Sequence, residues 1–129
     1  MTKILLAEDN DLNRRLYTDL LRLEGFEVLA VADGLEAIRL AQSERPDLIL
    51  LDLQLPVCSG HEAIRKMRGD SKLDALPIIA ISAFAHRDDK HKALANGFTD
   101  FITKPAPVDE FIAIVRKYLP VAASSATAG

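Results

Sequence analysis

A chain of 129 residues is long enough for one hydrophobic core and too short for two. Its net charge of −3 gives no broad attraction to nucleic acid or to an anionic membrane, and its single cysteine, Cys58, excludes an internal disulfide and fits a reducing compartment. No apolar run reaches the length of a membrane span. The start, Met1-Thr2-Lys3-Ile4, leads straight into a strand-like run with no room for a signal peptide, so a cytoplasmic setting is expected.

Ile4 to Ala7 is the first apolar run, and it ends in Glu8-Asp9. Asn10 or Asp11 is placed to cap a helix reaching about Glu24, with Leu12, Leu16, Leu20 and Leu23 as its apolar stripe and Gly25 as its terminator. Val28 to Val31 reads as a second strand. Asp33 is the cap of a short helix carrying Leu35, Ile38 and Ala41. Leu48 to Leu51, four apolar residues without polar alternation, suit a strand covered on both faces, and the run stops at Asp52. Pro56 bars its continuation, and Ser59-Gly60 starts a helix to Arg68 with Ile64 and Met67 inward. Residues 69–76 read as a polar loop. Ile78 to Ile81 is a fourth buried run ended by Ser82, followed by a weakly apolar helix from Arg87 to Asn96 closed by Gly97. Asp100 to Thr103 makes a fifth strand ending in Lys104-Pro105. The last helix, from about Val108 to Leu119, puts Val108, Phe111, Ile112, Val115 and Leu119 on one face, and residues 120–129 read as a disordered tail.

Five strands alternating with five helices predict an α/β fold, a single doubly wound (βα)5 domain over residues 1–119 with a five-stranded parallel sheet and right-handed crossovers. Parallel strands point the same way, so Glu8-Asp9, Asp52, Ser82 and Lys104 all fall at one sheet edge. A strand order of 2-1-3-4-5, the flavodoxin-like order, places the binding crevice between the first and third strands, with Asp9 beside Asp52. Carboxylates gathered there repel unless a cation sits among them, and few hard oxygen ligands with room for water suit Mg2+. An ammonium and a hydroxyl at the same mouth complete an apparatus for a phosphoryl group. Asp52 is left over as a carboxylate nucleophile whose product is an aspartyl phosphate.

Glu8-Asp9, the Asp52-Leu53-Gln54-Leu55-Pro56 run with Gly60, Ser82-Ala83 and Lys104-Pro105 resemble the receiver domain of two-component response regulators, the CheY-like fold. The resemblance spans residues 2 to about 119. In phrasing it is similar to stand-alone regulators of the DivK type and to receivers of hybrid kinases. It implies that Asp52 accepts phosphate from a phosphohistidine on a sensor histidine kinase or a histidine phosphotransfer protein. It further implies Mg2+ held by Asp9, Asp52 and the backbone carbonyl of Gln54, with Glu8 acting through water. Lys104 and Ser82 then contact the phosphoryl oxygens, the Lys104-Pro105 bond is cis, and Phe101 is the switch aromatic that alters the surface of the fourth helix, fifth strand and fifth helix. Ser82 stands where threonine is more usual. Phe101 lacks a tyrosine hydroxyl, and Gln54 and Phe84 occupy positions that tune phosphoryl hydrolysis in such proteins.

The expected output is control of a downstream protein by a monomer that catalyses only its own phosphorylation and dephosphorylation, with neither nucleic acid nor membrane as direct partner. Other classes fit less well. An aspartyl phosphatase generally has a second acid where this chain has Gln54, and the acidic run Glu8-Asp9-Asn10-Asp11 would repel the phosphate of a flavin. A receiver-like scaffold that is never phosphorylated would not need the full set of Asp9, Asp52, Ser82 and Lys104. His61, His86 and His91 share no metal-ligand spacing and read as solvent-exposed, Cys58 carries no sign of a reactive thiol, and the mixed-charge stretch 86–92 reads as a solvated helix face or a docking surface.

Overall fold

The computed structural model describes residues 2–83 and 87–119 and contains a five-stranded parallel sheet in the order β2-β1-β3-β4-β5. The strands are β1 (Lys3–Ala7), β2 (Glu27–Val31), β3 (Leu48–Asp52), β4 (Ile78–Ser82) and β5 (Asp100–Thr103). Between them run α1 (Asp11–Leu23), α2 (Gly34–Glu44), α3 (Gly60–Arg68) and α4 (Arg87–Ala95), and α5 (Val108–Tyr118) follows the last strand. The expected elements, fold class and strand order are all present. A 3-10 turn at Ser71–Leu73 breaks the loop expected over 69–76. The tail assigned to 120–129, together with Phe84 and His86, lies outside the described residues.

Period-two alternation splits the core into two layers. Leu5, Ala7, Ile49, Leu51, Ile78, Ala80 and Phe101 face α2 and α3, where Ala37, Ile38, Ala41, Ala63, Ile64 and Met67 meet them. Ile4, Leu6, Leu48, Leu50, Ile79, Ile81 and Ile102 face the other way, onto Tyr17 and Leu21 of α1 and Phe111 and Val115 of α5. The central strands are buried on both faces, which is why their sequences carry no polar alternation.

The first helix departs from expectation. Leu12, Leu16 and Leu23 are 75%, 48% and 82% exposed, and the face turned to the sheet is Tyr17, Thr18 and Leu21. Two attachments set this roll. Tyr17 stacks on Phe111 with ring centroids 4.6 Å apart, and an Arg14 guanidinium nitrogen donates to the Glu8 carbonyl at 3.0 Å. Either α1 face is apolar enough to be buried, so spacing alone did not choose between them. Leu35 and Val108, also read as inward, are exposed.

Arg68 closes the far end of the sheet. Its guanidinium donates to the carbonyls of Gly97 at 2.9 Å and Leu73 at 2.6 Å and to Thr99 Oγ1 at 3.3 Å, while Thr99 Oγ1 accepts from the Ile78 amide at 3.0 Å. One side chain thereby ties α3, the 3-10 turn, the start of β4 and the loop into β5. Arg68→Met, which keeps the stem and removes the donors, is expected to lower unfolding stability by about 2–4 kcal/mol, because several carbonyls lose a charged donor. Urea unfolding against the exposed control Arg65→Met measures it.

Candidate functional site

The carboxyl ends of β1, β3, β4 and β5 deliver Glu8, Asp52, Ser82 and Lys104 to one place, as the parallel topology requires. Glu8, Asp52 and Ser82 are fully buried. One carboxylate oxygen from each of Glu8, Asp9 and Asp52 lies within 4.8 Å of the others, with Asp9 on the solvent side. The Lys104 ammonium reaches in from the end of β5, 2.5 Å from Asp52 Oδ2 and 3.1 Å from Glu8 Oε1. The Lys104-Pro105 peptide bond is cis, as the resemblance implied.

Backbone donors orient the acids. The Gln54 amide donates to Asp52 Oδ1 at 2.8 Å, and the Asn10 amide donates to Glu8 Oε2 at 3.1 Å. Asn10 in turn caps α1 through its side chain, which accepts from the Asn13 amide at 2.9 Å. Leu53 is anchored across the edge by its amide to the Ile81 carbonyl, and Gly60 by its amide to the Leu53 carbonyl. At Gly60 a β-carbon would come within 2.4 Å of the Asp52 carbonyl oxygen, so only glycine fits where α3 starts under the strand end. Arg14, which also reaches the Asp9 carbonyl at 3.4 Å, and Gly34, whose bare backbone abuts the Cys58 carbonyl, carry no sequence signal of these roles, because backbone carbonyls and close approaches leave no motif.

Three carboxylates facing one ammonium leave a surplus of two negative charges, and all the donors are hard oxygens. This donor set fits a small divalent cation. Burial drives the Glu8 carboxyl above its ordinary range, aided by the charge of Asp52 and opposed by the Asn10 amide and Lys104. For Lys104, burial acts to lower the pKa but is outweighed by the hydrogen bonds and charges of Asp52 and Glu8, which raise it.

Both shifts make stability fall as pH rises, but near neutral pH the lysine's contribution is favourable and the glutamate's unfavourable. A lysine raised in the folded state stabilises below its ordinary value near 10.5, and that contribution is lost as pH rises through the elevated value. A glutamate raised in the folded state binds protons more tightly than in the unfolded chain, so stability falls as pH rises from about 4.5 through the raised value. Glu8→Gln is therefore expected to flatten the decline in urea stability between acid and neutral pH in metal-free buffer. A decline of unchanged slope would assign it to other groups.

Phe101 is buried in the core layer that also holds Ala93 of α4, and His91 is exposed as expected, whereas His61 is only partly so. Cys58 is buried, and desolvation pushes its thiol up, which agrees with an unreactive cysteine.

The sequence profile described as response regulator receiver domain matches residues 4–116. The chain belongs to the response regulator receiver family. The receiver is 40% identical over 116 residues to the polar-differentiation response regulator DivK of Brucella anthropi, covering 90% of this chain and 94% of that protein. To the protein of the same name in Brucella ovis it is 41% identical over 120 residues, covering 92% and 98%. Among solved structures it resembles the receiver domain of a sensor histidine kinase from Pseudomonas aeruginosa PAO1, described with a magnesium ion in its active-site cleft, with TM-score 0.86, 37% identity and coverage of 92% and 98%. The chemotaxis response regulator CheY4 of Vibrio cholerae superposes with TM-score 0.87 at 29% identity, covering 92% and 98%. The receiver is a phosphorelay response regulator of the two-component type, and among its described residues no helix is long and apolar enough to cross a membrane.

Proposed function

We propose that the receiver takes a phosphoryl group onto Asp52 from a phosphohistidine of a sensor kinase or phosphotransfer protein in the cytoplasm and presents an altered surface to a downstream protein. The observation that carries this reading is the buried Asp52 carboxylate held between the Gln54 amide at 2.8 Å and the Lys104 ammonium at 2.5 Å, at a strand end that opens toward Asp9. A carboxylate oxygen of Asp52 forms the new P–O bond as the P–N bond breaks, and the departing imidazole nitrogen keeps the electron pair. Lys104 follows the charge, exchanging Asp52 for a phosphoryl oxygen, and the Ser82 hydroxyl donates to another. The same chain catalyses the transfer onto itself and its later hydrolysis.

Asp9, Asp52 and the Gln54 carbonyl would hold Mg2+, with Glu8 behind them through water. When bound, that cation neutralises the carboxylates so that an anionic phosphoryl group can approach. Phe101 would follow Ser82 on phosphorylation and pass the change to α4, β5 and α5.

The donor protein docks over α1. Its exposed leucine face adjoins a cavity of about 330 Å3 lined by Asn13, Leu16, Tyr17, Lys104 and Pro105, so an apolar helix laid there reaches the site. Incubation with acetyl phosphate and Mg2+, followed by intact mass, tests the acceptor. A labile adduct is expected, lost with chelator and in Asp52→Asn. An adduct surviving in Asp52→Asn would move the acceptor elsewhere.

A further inference from the structure

The loop after Asp52 is pressed from the side by α2. A β-carbon built on Gly34, the first residue of that helix, would lie 1.8 Å from the Cys58 carbonyl oxygen and 2.7 Å from its carbon. Such an overlap has no soft side-chain end to yield, so the loop backbone itself would have to move. Gly34 is buried, and its place is held by Asp33, whose side chain accepts from the Glu36 amide at 2.8 Å. On the other side of the contact the loop has little slack. Leu53, Leu55 and Cys58 are buried, the Cys58 amide donates to the Pro56 carbonyl at 2.7 Å, and Val57 has φ of +67°. A β-branched residue in that region is uncommon, and with Val57 77% exposed the constraint on the turn lies in its backbone rather than in packing of that side chain. Between the Cys58 contact and the strand lies Gln54, whose amide holds Asp52 Oδ1.

We propose that Gly34 is a positioning residue for phosphoryl transfer: bare backbone at the start of α2 lets the Cys58 carbonyl seat against it, and that seat holds the Gln54 amide and carbonyl in register with the Asp52 carboxylate. The inference rests on Asp52 being the acceptor. Gly34 touches no reacting atom, and it acts through the loop. A side chain there shifts the Gln54 peptide, and a misplacement of about 1 Å at such a centre costs on the order of 100-fold in rate.

Two readouts test it: amide hydrogen exchange of the metal-free chain, and the initial rate of labelling by acetyl phosphate with Mg2+. In Gly34→Ala the Gln54 amide is expected to exchange roughly 10-fold faster or more, and labelling to slow by at least about 10-fold. Gly25→Ala separates positioning from stability. Gly25 has φ of +94° and open space around it, so that variant is strained yet displaces nothing near the site. It should unfold more readily while labelling at the parent rate.

Where Gly34→Ala does not fold, Asp33→Ala carries the test by releasing the first turn of α2. It is expected to move both readouts roughly 3-fold in the same direction, with Asp33→Asn, which keeps the cap, restoring them. A folded Gly34→Ala with parent Gln54 protection and parent labelling overturns the proposal, as does an Asp33→Ala indistinguishable from the parent. Labelling that persists in Asp52→Asn instead overturns the acceptor assignment, whatever Gly34 does.

Discussion

Lys104→Met should leave a chain that needs acid or a divalent cation to stay folded. The ammonium stands 2.5 Å from Asp52 and 3.1 Å from Glu8, two carboxylates with no exposed side-chain surface. Methionine keeps the length of the stem and removes the charge, so both acids lose their only cationic partner among the described residues while remaining buried. Removing one member of a buried ion pair costs about 3–5 kcal/mol, mostly as the desolvation of the charge left behind. The chain relieves that cost by taking up a proton. In the variant the folded state binds protons more tightly than the unfolded one over a wider range, so stability falls more steeply as pH rises through the raised carboxylate value. Urea unfolding from pH 5 to pH 8 should show the largest deficit at the alkaline end, with recovery in acid and with millimolar Mg2+. Equal stability to the parent at pH 8 without cation would remove Lys104 from this electrostatic role. With Lys104 in the role proposed for it, phosphoryl labelling should be weaker and the surface of α4, β5 and α5 should no longer respond.

The second large effect is on transfer from a protein donor. Leu12→Glu combined with Leu16→Glu is expected to slow phosphotransfer from a phosphohistidine-bearing protein by roughly 30- to 1,000-fold, the range produced by losing one or two central apolar anchors of about 2 kcal/mol each. Labelling by acetyl phosphate should fall far less than donor transfer, since neither leucine is a hydrogen-bond or ion-pair partner of Asp52, although Leu16 shares a cavity lining with Lys104. Stability should change little, because Leu12 and Leu16 are 75% and 48% exposed and contribute little to the core. Donor transfer at the parent rate would place the docking surface elsewhere. Loss of acetyl phosphate labelling together with donor transfer would show that the substitutions had disturbed the site itself.

The same leucines mark the division between chain and fold. The sheet was legible because continuous apolar runs such as Leu48 to Leu51 and Ile78 to Ile81 have no polar face to expose, and a parallel sheet covered on both sides is the arrangement that hides them. The gathering of Glu8, Asp9, Asp52, Ser82 and Lys104 followed from that alone, since parallel strands end at one edge. Helix roll did not follow. α1 carries apolar residues on both faces, and of the expected stripe only Leu20 packs against the core while Leu12, Leu16 and Leu23 stay exposed, because the Tyr17–Phe111 stack and the Arg14 bond to Glu8 hold the other face down.

What the sequence by itself determined is local and periodic: which segments are strands or helices, where they stop, and which reactive groups stand at the stops. Only the tertiary structure decided which residues of α1 are buried, that Arg68 ties α3 to the loop before β5, and that the start of α2 bears on the loop carrying Gln54. Periodicity reports the chain's own repeat. Contacts between segments far apart in sequence involve backbone carbonyls and bare glycine surface, which are the same in every sequence and become specific only when the fold brings them together.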